Sequence, residues 1–255
     1  MPSFRFLAPA LFALALCAAP PAASAQSFSD GQRGDIETIV RNYLIAHPEV
    51  LEEAMAELSK RQAAAETEKH EASIAQNAEK IFNSPRGVMI GNRDGDVTFV
   101  EFFDYNCGYC KRAMTDMLDL MKTDPKLKVV LKEFPVLGPG SVEAAQVAVA
   151  ARMQDPAGKK YLDFHQKLLG GRGQADKARA MAAAKEAGFD MARLEKDIGS
   201  PEVRATLEEN FKLAEDMGMN GTPSYVIGKQ VVVGAVGLEG LKEKIGLARC
   251  GKATC

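Results

Sequence analysis

Beyond residue 25 the sequence has no run of 18 uninterrupted apolar residues, so nothing there reads as a membrane-spanning helix. Neither sign of charge is in excess. The 32 Lys and Arg stand against 34 Asp and Glu, a net −2, which excludes a nucleic-acid binder by charge. Histidine is scarce: His47, His70 and His165 are scattered singly. A structural zinc site asks for four ligands, usually as a second close cysteine pair or two histidines. The Cys107-x-x-Cys110 pair has no such companion, since the other spaced pair, Cys250-x4-Cys255, begins 140 residues further on. No metal and no cofactor are therefore expected, and the spacing points to redox chemistry. Strict heptads are also absent, so the pattern by itself does not choose between dimer and trimer.

What is present is organised around Phe99-Val-Glu-Phe-Phe-Asp-Tyr-Asn-Cys107-Gly-Tyr-Cys110-Lys-Arg. The β-branched and aromatic run Val97 to Phe103 reads as a buried strand that stops at two cysteines. Lys111 to Lys122, with Met114, Met117, Leu118 and Met121 on one side, reads as the helix that follows. Strand, turn and helix place Cys107 where the first backbone N–H groups lack partners and the helix dipole is positive. A thiolate is favoured there. Free cysteine titrates near ~8.5, and C-x-x-C cysteines at helix N-termini at roughly 3.5–7.5. Cys110, one turn on, can attack a mixed disulfide formed at Cys107. The same stabilised thiolate leaves easily, so the pair is expected to be relatively oxidising.

Taken in order, residues 1–25 read as a secretory signal: Arg5, an apolar stretch from Phe6 to Ala19, and the cleavage site Ala23-Ser24-Ala25. Lipidation at Cys17 is the alternative, with Leu16 a poor residue before it. The mature chain then starts near Gln26 in an oxidising compartment, the periplasm if the source is Gram-negative. In residues 26–83, Ile36, Ile39, Val40, Tyr43, Leu44, Val50, Leu51, Ala54, Met55 and Leu58 recur at helical steps, interrupted by His47-Pro48. Two helices are predicted, about 35–46 and from 48 onward. From Gln62 to Glu79 the stripe thins to alanines and Ile74 among charged residues, a helix former with little to bury. Residues 26–61 are read as an oligomerisation segment and 62–83 as a helical linker, because a stripe its own domain leaves open needs another chain to cover it. The alternative is a helix packed on its own domain.

Residues 84–255 are read as the catalytic domain. Pro85 breaks the helix, Val88 to Ile90 is a short strand and Asn92 to Asp96 a turn. Glu101 lies inside the buried strand, six residues before Cys107. It either faces a cleft as a proton acceptor near Cys110 or lies at an exposed edge. Leu127 to Phe134 is the next strand, making a parallel crossover, with Lys132 a candidate partner for Glu101. Residues 141–217 read as a helical insertion, with Ser141, Asp155-Pro156, Asp190 and Ser200-Pro201 as helix starts and His165 as a packed residue. Gly221 to Ile227 and Val231 to Val236 form a hairpin turning at Gly228-Lys229. Pro223 stands at its entry, where no ladder donor is needed and a cis bond fits. A helix from Leu238 to about Arg249 follows. Cys250 and Cys255 read as a local structural disulfide, with a second redox pair or free thiols as alternatives.

This order is an α/β thioredoxin fold with an inserted helical domain, preceded by an N-terminal α-helical oligomerisation arm. Glu-Phe-Phe-Asp-Tyr-Asn-Cys-Gly-Tyr-Cys-Lys, with Thr222-Pro223 before the hairpin, resembles the DsbA-type periplasmic disulfide oxidoreductases over about residues 84–249. The resemblance implies that Cys107 is the exposed nucleophile, that Cys110 resolves, that a cis Pro223 faces the pair, and that Glu101 matches the family's acidic residue. The stretch from Glu37 to Ala54 resembles the N-terminal segment of the ScsC (suppressor of copper sensitivity) group. Some members of that group trimerise through this segment and act as isomerases. Cys-Gly-Tyr-Cys and the threonine before the proline also resemble the bacterial isomerases. The resemblance implies a homotrimer acting on disulfide-bonded clients, a membrane thiol reductase of the ScsB/DsbD type as partner, and a link to copper tolerance. Cys250 and Cys255 lie outside the pattern. The expected function is an oligomeric disulfide isomerase or reductase; a monomeric DsbA-like oxidase and a copper-binding protein are the alternatives.

Overall fold

The computed structural model describes residues 28–255, so the expected signal segment and Cys17 lie outside the described residues. The chain divides into two compact units between Leu58 and Ser59.

In the first unit, helix α1 (Asp30–Ala46) starts five residues before the predicted position. Ser29 caps it by accepting from the Gln32 N–H, while the Gln32 side chain accepts from the Ser29 N–H, a reciprocal box that outweighs the weak apolar signal there. His47 ends α1, and α2 runs unbroken from Glu49–Phe82. None of α1 is buried, and Ile39, Tyr43, Ile45 and Met55 are each more than half exposed.

The second unit holds a five-stranded sheet ordered β1-β3-β2-β4-β5. The strands are β1 (Val88–Gly91), β2 (Val97–Phe103), β3 (Leu127–Glu133), β4 (Ser224–Ile227) and β5 (Gln230–Val233). β2 and β3 are parallel across helix α3 (Gly108–Thr123), and the other neighbours are antiparallel. Helices α4 (Pro139–Arg152), α5 (Lys159–Gly170), α6 (Lys177–Glu186), α7 (Met191–Asp197) and α8 (Pro201–Asp216) form the insertion, and α9 (Gly237–Cys250) follows the hairpin.

Several local expectations shift. Gly138 precedes α4 with Pro139 in its first turn, so Ser141 is not the cap but a buried residue within that turn. Asp155 does not open α5. That helix starts after the left-handed Gly158, and the Asp155 carboxylate accepts from the Tyr161 N–H instead. β5 stops at Val233 because Gly234, at φ +89°, turns out of the ladder and gives its N–H to the Pro223 carbonyl. Gly228, at φ +59°, makes the hairpin turn where a Cβ would also sit 2.8 Å from the Ala248 Cβ.

The sheet has two faces, and β2 serves both by alternation. Phe99 and Phe103 join the larger core with α3, α4, α5 and α9, whereas Val100 and Phe102 point into a smaller core. That smaller core contains Ile74 and Ile81 of α2, packed with Leu213, Met217 and Val226. The 62–83 stretch is therefore not a free linker: two isoleucines a helical face apart fix it to the sheet. The expected Glu101–Lys132 pair also does not form. In the parallel register Glu101 lies beside Leu131 and Lys132 beside Phe102, so the two charges fall on opposite faces. Lys132 sits 3.8 Å from Glu209, within a network where Arg86 bridges Glu202 and Glu209. Burial lowers the Lys132 ammonium to about 8.

Candidate active site

Cys107 is the N-cap of α3: its sulfur accepts from the Cys110 backbone N–H at 3.2 Å. The Cys110 thiol, donating to the same sulfur, is the largest cause that brings Cys107 down to about 6. Burial opposes it, while Thr222 and the Cys110 and Tyr109 backbone N–H groups add to it. Cys110 is wholly buried, and burial drives its thiol far above the ordinary range, helped by the sulfur of Cys107 and the carboxyl of Glu101. Both cysteines are free thiols. The nucleophile is less open than the resemblance implies. Cys107 keeps 6% of its surface and Cys110 none, so access is confined to one sulfur, beside a Tyr109 that is 59% exposed.

Across from the pair, the Thr222-Pro223 bond is cis. The Cys107 sulfur is 3.2 Å from the Thr222 carbonyl oxygen, to which a protonated thiol donates. Glu101 is buried between Leu131 and Tyr225 on the neighbouring strands. Burial first, then the negative charge at Cys107 and Asp116, raises its carboxyl to about 8. A carboxyl so raised is mostly protonated at neutral pH and exchanges its proton just above it. The structure thus brings Cys107, Cys110, Glu101 and Thr222 together with Pro223 adjoining. Cys250 and Cys255 form a disulfide of their own at the end of α9.

Sequence reasoning passed over the two polar residues that hold the turn. Asp104, fully buried, accepts from the Asn106 N–H at 2.8 Å and from the Val136 and Leu137 N–H groups at 2.8 and 2.9 Å. Asn106 donates to the Ser141 hydroxyl and the Ala175 carbonyl and accepts from the Ala175 N–H. The Asp-Tyr-Asn triplet reads simply as turn chemistry. The signal available was an acidic residue ending an apolar strand, which needs N–H donors if it is to be buried.

A family model described as "DSBA-like thioredoxin domain" matches residues 98–246, and one described as "Copper resistance protein ScsC N-terminal domain" matches residues 32–65. Among solved structures, a thioredoxin-like oxidoreductase from Silicibacter pomeroyi is 42% identical, with 67% of this chain and 96% of that chain covered at a TM-score of 0.63. Proteus mirabilis ScsC in a transitional conformation is 28% identical, with 88% of this chain and 97% of that chain covered at 0.63. The thiol:disulfide interchange protein DsbA of Bordetella pertussis is 26% identical over 65% of this chain and 78% of its own length. The chain spans only 24% of the Na(+)/H(+) antiporter NhaA 1 of Salinispora arenicola, to which it is 24% identical.

Proposed function

The chain belongs to the DSBA-like thioredoxin family of thiol–disulfide oxidoreductases, and on that premise we propose that it is an oligomeric protein disulfide isomerase and reductase of the periplasm. Its clients are misfolded proteins with wrongly paired disulfides. The Cys107 thiolate attacks one sulfur of a client disulfide; a Cys107–client bond forms and a client thiolate leaves. In isomerisation another client thiolate attacks the client sulfur and regenerates Cys107. In reduction the charge at Cys107 is gone into the mixed disulfide, which eases ionisation of Glu101; Cys110 gives its proton to the ionised carboxylate and attacks the Cys107 sulfur. That releases the client as a thiolate and leaves the Cys107–Cys110 disulfide. A membrane thiol reductase supplies the two electrons that reset it. Pro223 offers no N–H, so at that position the loop opposite the sulfur has only an acceptor for an incoming chain.

The observation that carries the chemistry is the asymmetry of the pair: the Cys107 sulfur caps α3 on the Cys110 N–H, which favours its thiolate, while Cys110 is wholly buried behind it. The oligomeric part is supported by the apolar face of the first unit, where Ile39, Val40, Tyr43, Ile45 and Met55 are each at least half exposed. Holding several sites on one client raises their effective concentration, which suits isomerisation over single-pass oxidation.

The test is refolding of scrambled ribonuclease by the full chain, by Cys107→Ala, and by a chain starting at Ser59. That start keeps Ile74 and Ile81, which a cut at Ser84 would remove from the core. The full chain is expected to recover activity and Cys107→Ala none, while the shortened chain keeps dithiol oxidation but loses isomerisation. A full chain that is monomeric by light scattering defeats the oligomeric reading in favour of an oxidase. A second reading, Cu(I) handling by the same thiols, rests on the name of the model matched by residues 32–65. It takes over if Cu(I) binds stoichiometrically and no exchange is seen.

A further inference from the structure

Four buried polar side chains outside the exchange chemistry form one continuous line. The Tyr161 hydroxyl donates to Glu133 Oε1 at 2.5 Å, the Tyr105 and Tyr161 hydroxyls are 3.1 Å apart, and His165 Nδ1 is 3.4 Å from the Tyr105 hydroxyl. None of the four is more than 6% exposed. They come from separate places: Glu133 ends β3, Tyr161 and His165 lie on α5, and Tyr105 sits in the turn two residues before Cys107. The rings reinforce the line, with Phe103 edge-on to both Tyr105 and His165 at 5.1 and 4.7 Å.

The donors along this line can be assigned by counting. Tyr161 has one proton and gives it to Glu133. Tyr105 must then be the donor between the two hydroxyls. With its own proton spent, the Tyr105 oxygen can only accept from His165, so Nδ1 carries the imidazole proton. Burial keeps His165 neutral, lowering it to about 3, so one ring proton is all there is to place.

We propose that His165, Tyr161 and Glu133 are positioning residues of the redox site: their line of hydrogen bonds fixes Tyr105 and, through it, the turn that sets the Cys107 sulfur on the Cys110 N–H. The inference rests on the exchange reading of Cys107. Asp104 and Asn106 are anchored to other elements, so Tyr105 supplies the third hold on three consecutive residues. Burying a tyrosine hydroxyl in an aromatic core requires a partner, and here the partner comes from the insertion.

The test titrates the reduced full chain by thiolate absorbance near 240 nm. Tyr161→Phe keeps the ring and cuts the line. Its Cys107 midpoint is expected to rise by about half a pH unit or more, a roughly threefold lower thiolate-to-thiol ratio. Glu133→Gln, which retains an acceptor for Tyr161, is expected to keep the wild-type midpoint. Leu194→Ala, which truncates a buried side chain of α7 that has no hydrogen bond in the line, is expected to keep it too. A folded Tyr161→Phe with an unmoved midpoint overturns the proposal, as does Leu194→Ala moving it equally. Should Tyr161→Phe fail to fold, ¹⁵N spectra of the unaltered protein decide: a protonated Nδ1 on His165 supports the line and a protonated Nε2 overturns it. An ordinary midpoint in the unaltered protein defeats the exchange reading itself and this inference with it.

Discussion

The two cysteine pairs occupy opposite ends of helices. Cys107 caps the N-terminus of α3, where backbone N–H groups converge on its sulfur; Cys250 is the last residue of α9, followed by a left-handed Gly251 at φ +76°. The dipole that favours a thiolate at the first position disfavours one at the second. The first pair is buried, free and asymmetric, while the second is exposed, joined and six residues from end to end. Identical side chains thus acquire different chemistry from where a helix begins or stops. On the reading proposed above, the same contrast keeps Cys250 and Cys255 out of the exchange although both face solvent.

The largest effect tests this division directly. Cys107→Ala is expected to abolish disulfide exchange, whereas Cys250→Ala with Cys255→Ala leaves the turnover of scrambled ribonuclease unchanged; equal losses would erase the distinction. Next comes pH. Cys107 is lowered to about 6 from an ordinary 9.0, so in the reduced protein it adds stability that is full above the ordinary value and is lost as pH falls through 6. Denaturant titrations between pH 5 and 9 should show this slope, and Cys107→Ala should remove it. Glu101 runs the other way. Its carboxyl is raised to about 8, so the folded chain binds the extra proton and stability falls as pH rises from the ordinary 4.5 towards 8. Glu101→Gln should therefore be more stable than the parent at pH 8, nearly equal at pH 4, and slower in releasing clients from Cys107; a loss of stability at pH 8 would contradict the buried-acid account. The smallest effect is on the second pair. Closing so short a loop contributes about 2 kcal/mol by chain entropy, so its removal should lower the melting temperature by a few degrees and nothing more.

The chemistry was legible because it is local. An apolar strand running into Cys-Gly-Tyr-Cys and a threonine–proline pair before a hairpin are each written in a few adjacent residues. What depended on distant partners was not. Ile74 and Ile81 look like strays in an alanine-rich, charged helix, and only the far face of β2 shows what they bury. Lys132 was matched to Glu101 by position along the strands, but alternation sends the two to opposite sides of the sheet. Ser141 has the side chain of a cap, yet Gly138 and Pro139 had already begun α4, leaving its hydroxyl to receive Asn106. His165 reads correctly as a packed residue, but its hydrogen bond to Tyr105 comes from a residue 60 positions away.

The residues just before the nucleophile are tied to the 136–137 loop, to α4, to Ala175 and to α5, all of them later in the chain. An emerging polypeptide that has completed only β2 and α3 lacks every one of those moorings. Its sulfur already has the Cys110 N–H of its own helix, but the turn that aims it is held by nothing beyond that helix. The surroundings that present the sulfur to a partner are thus completed last, by elements made after it.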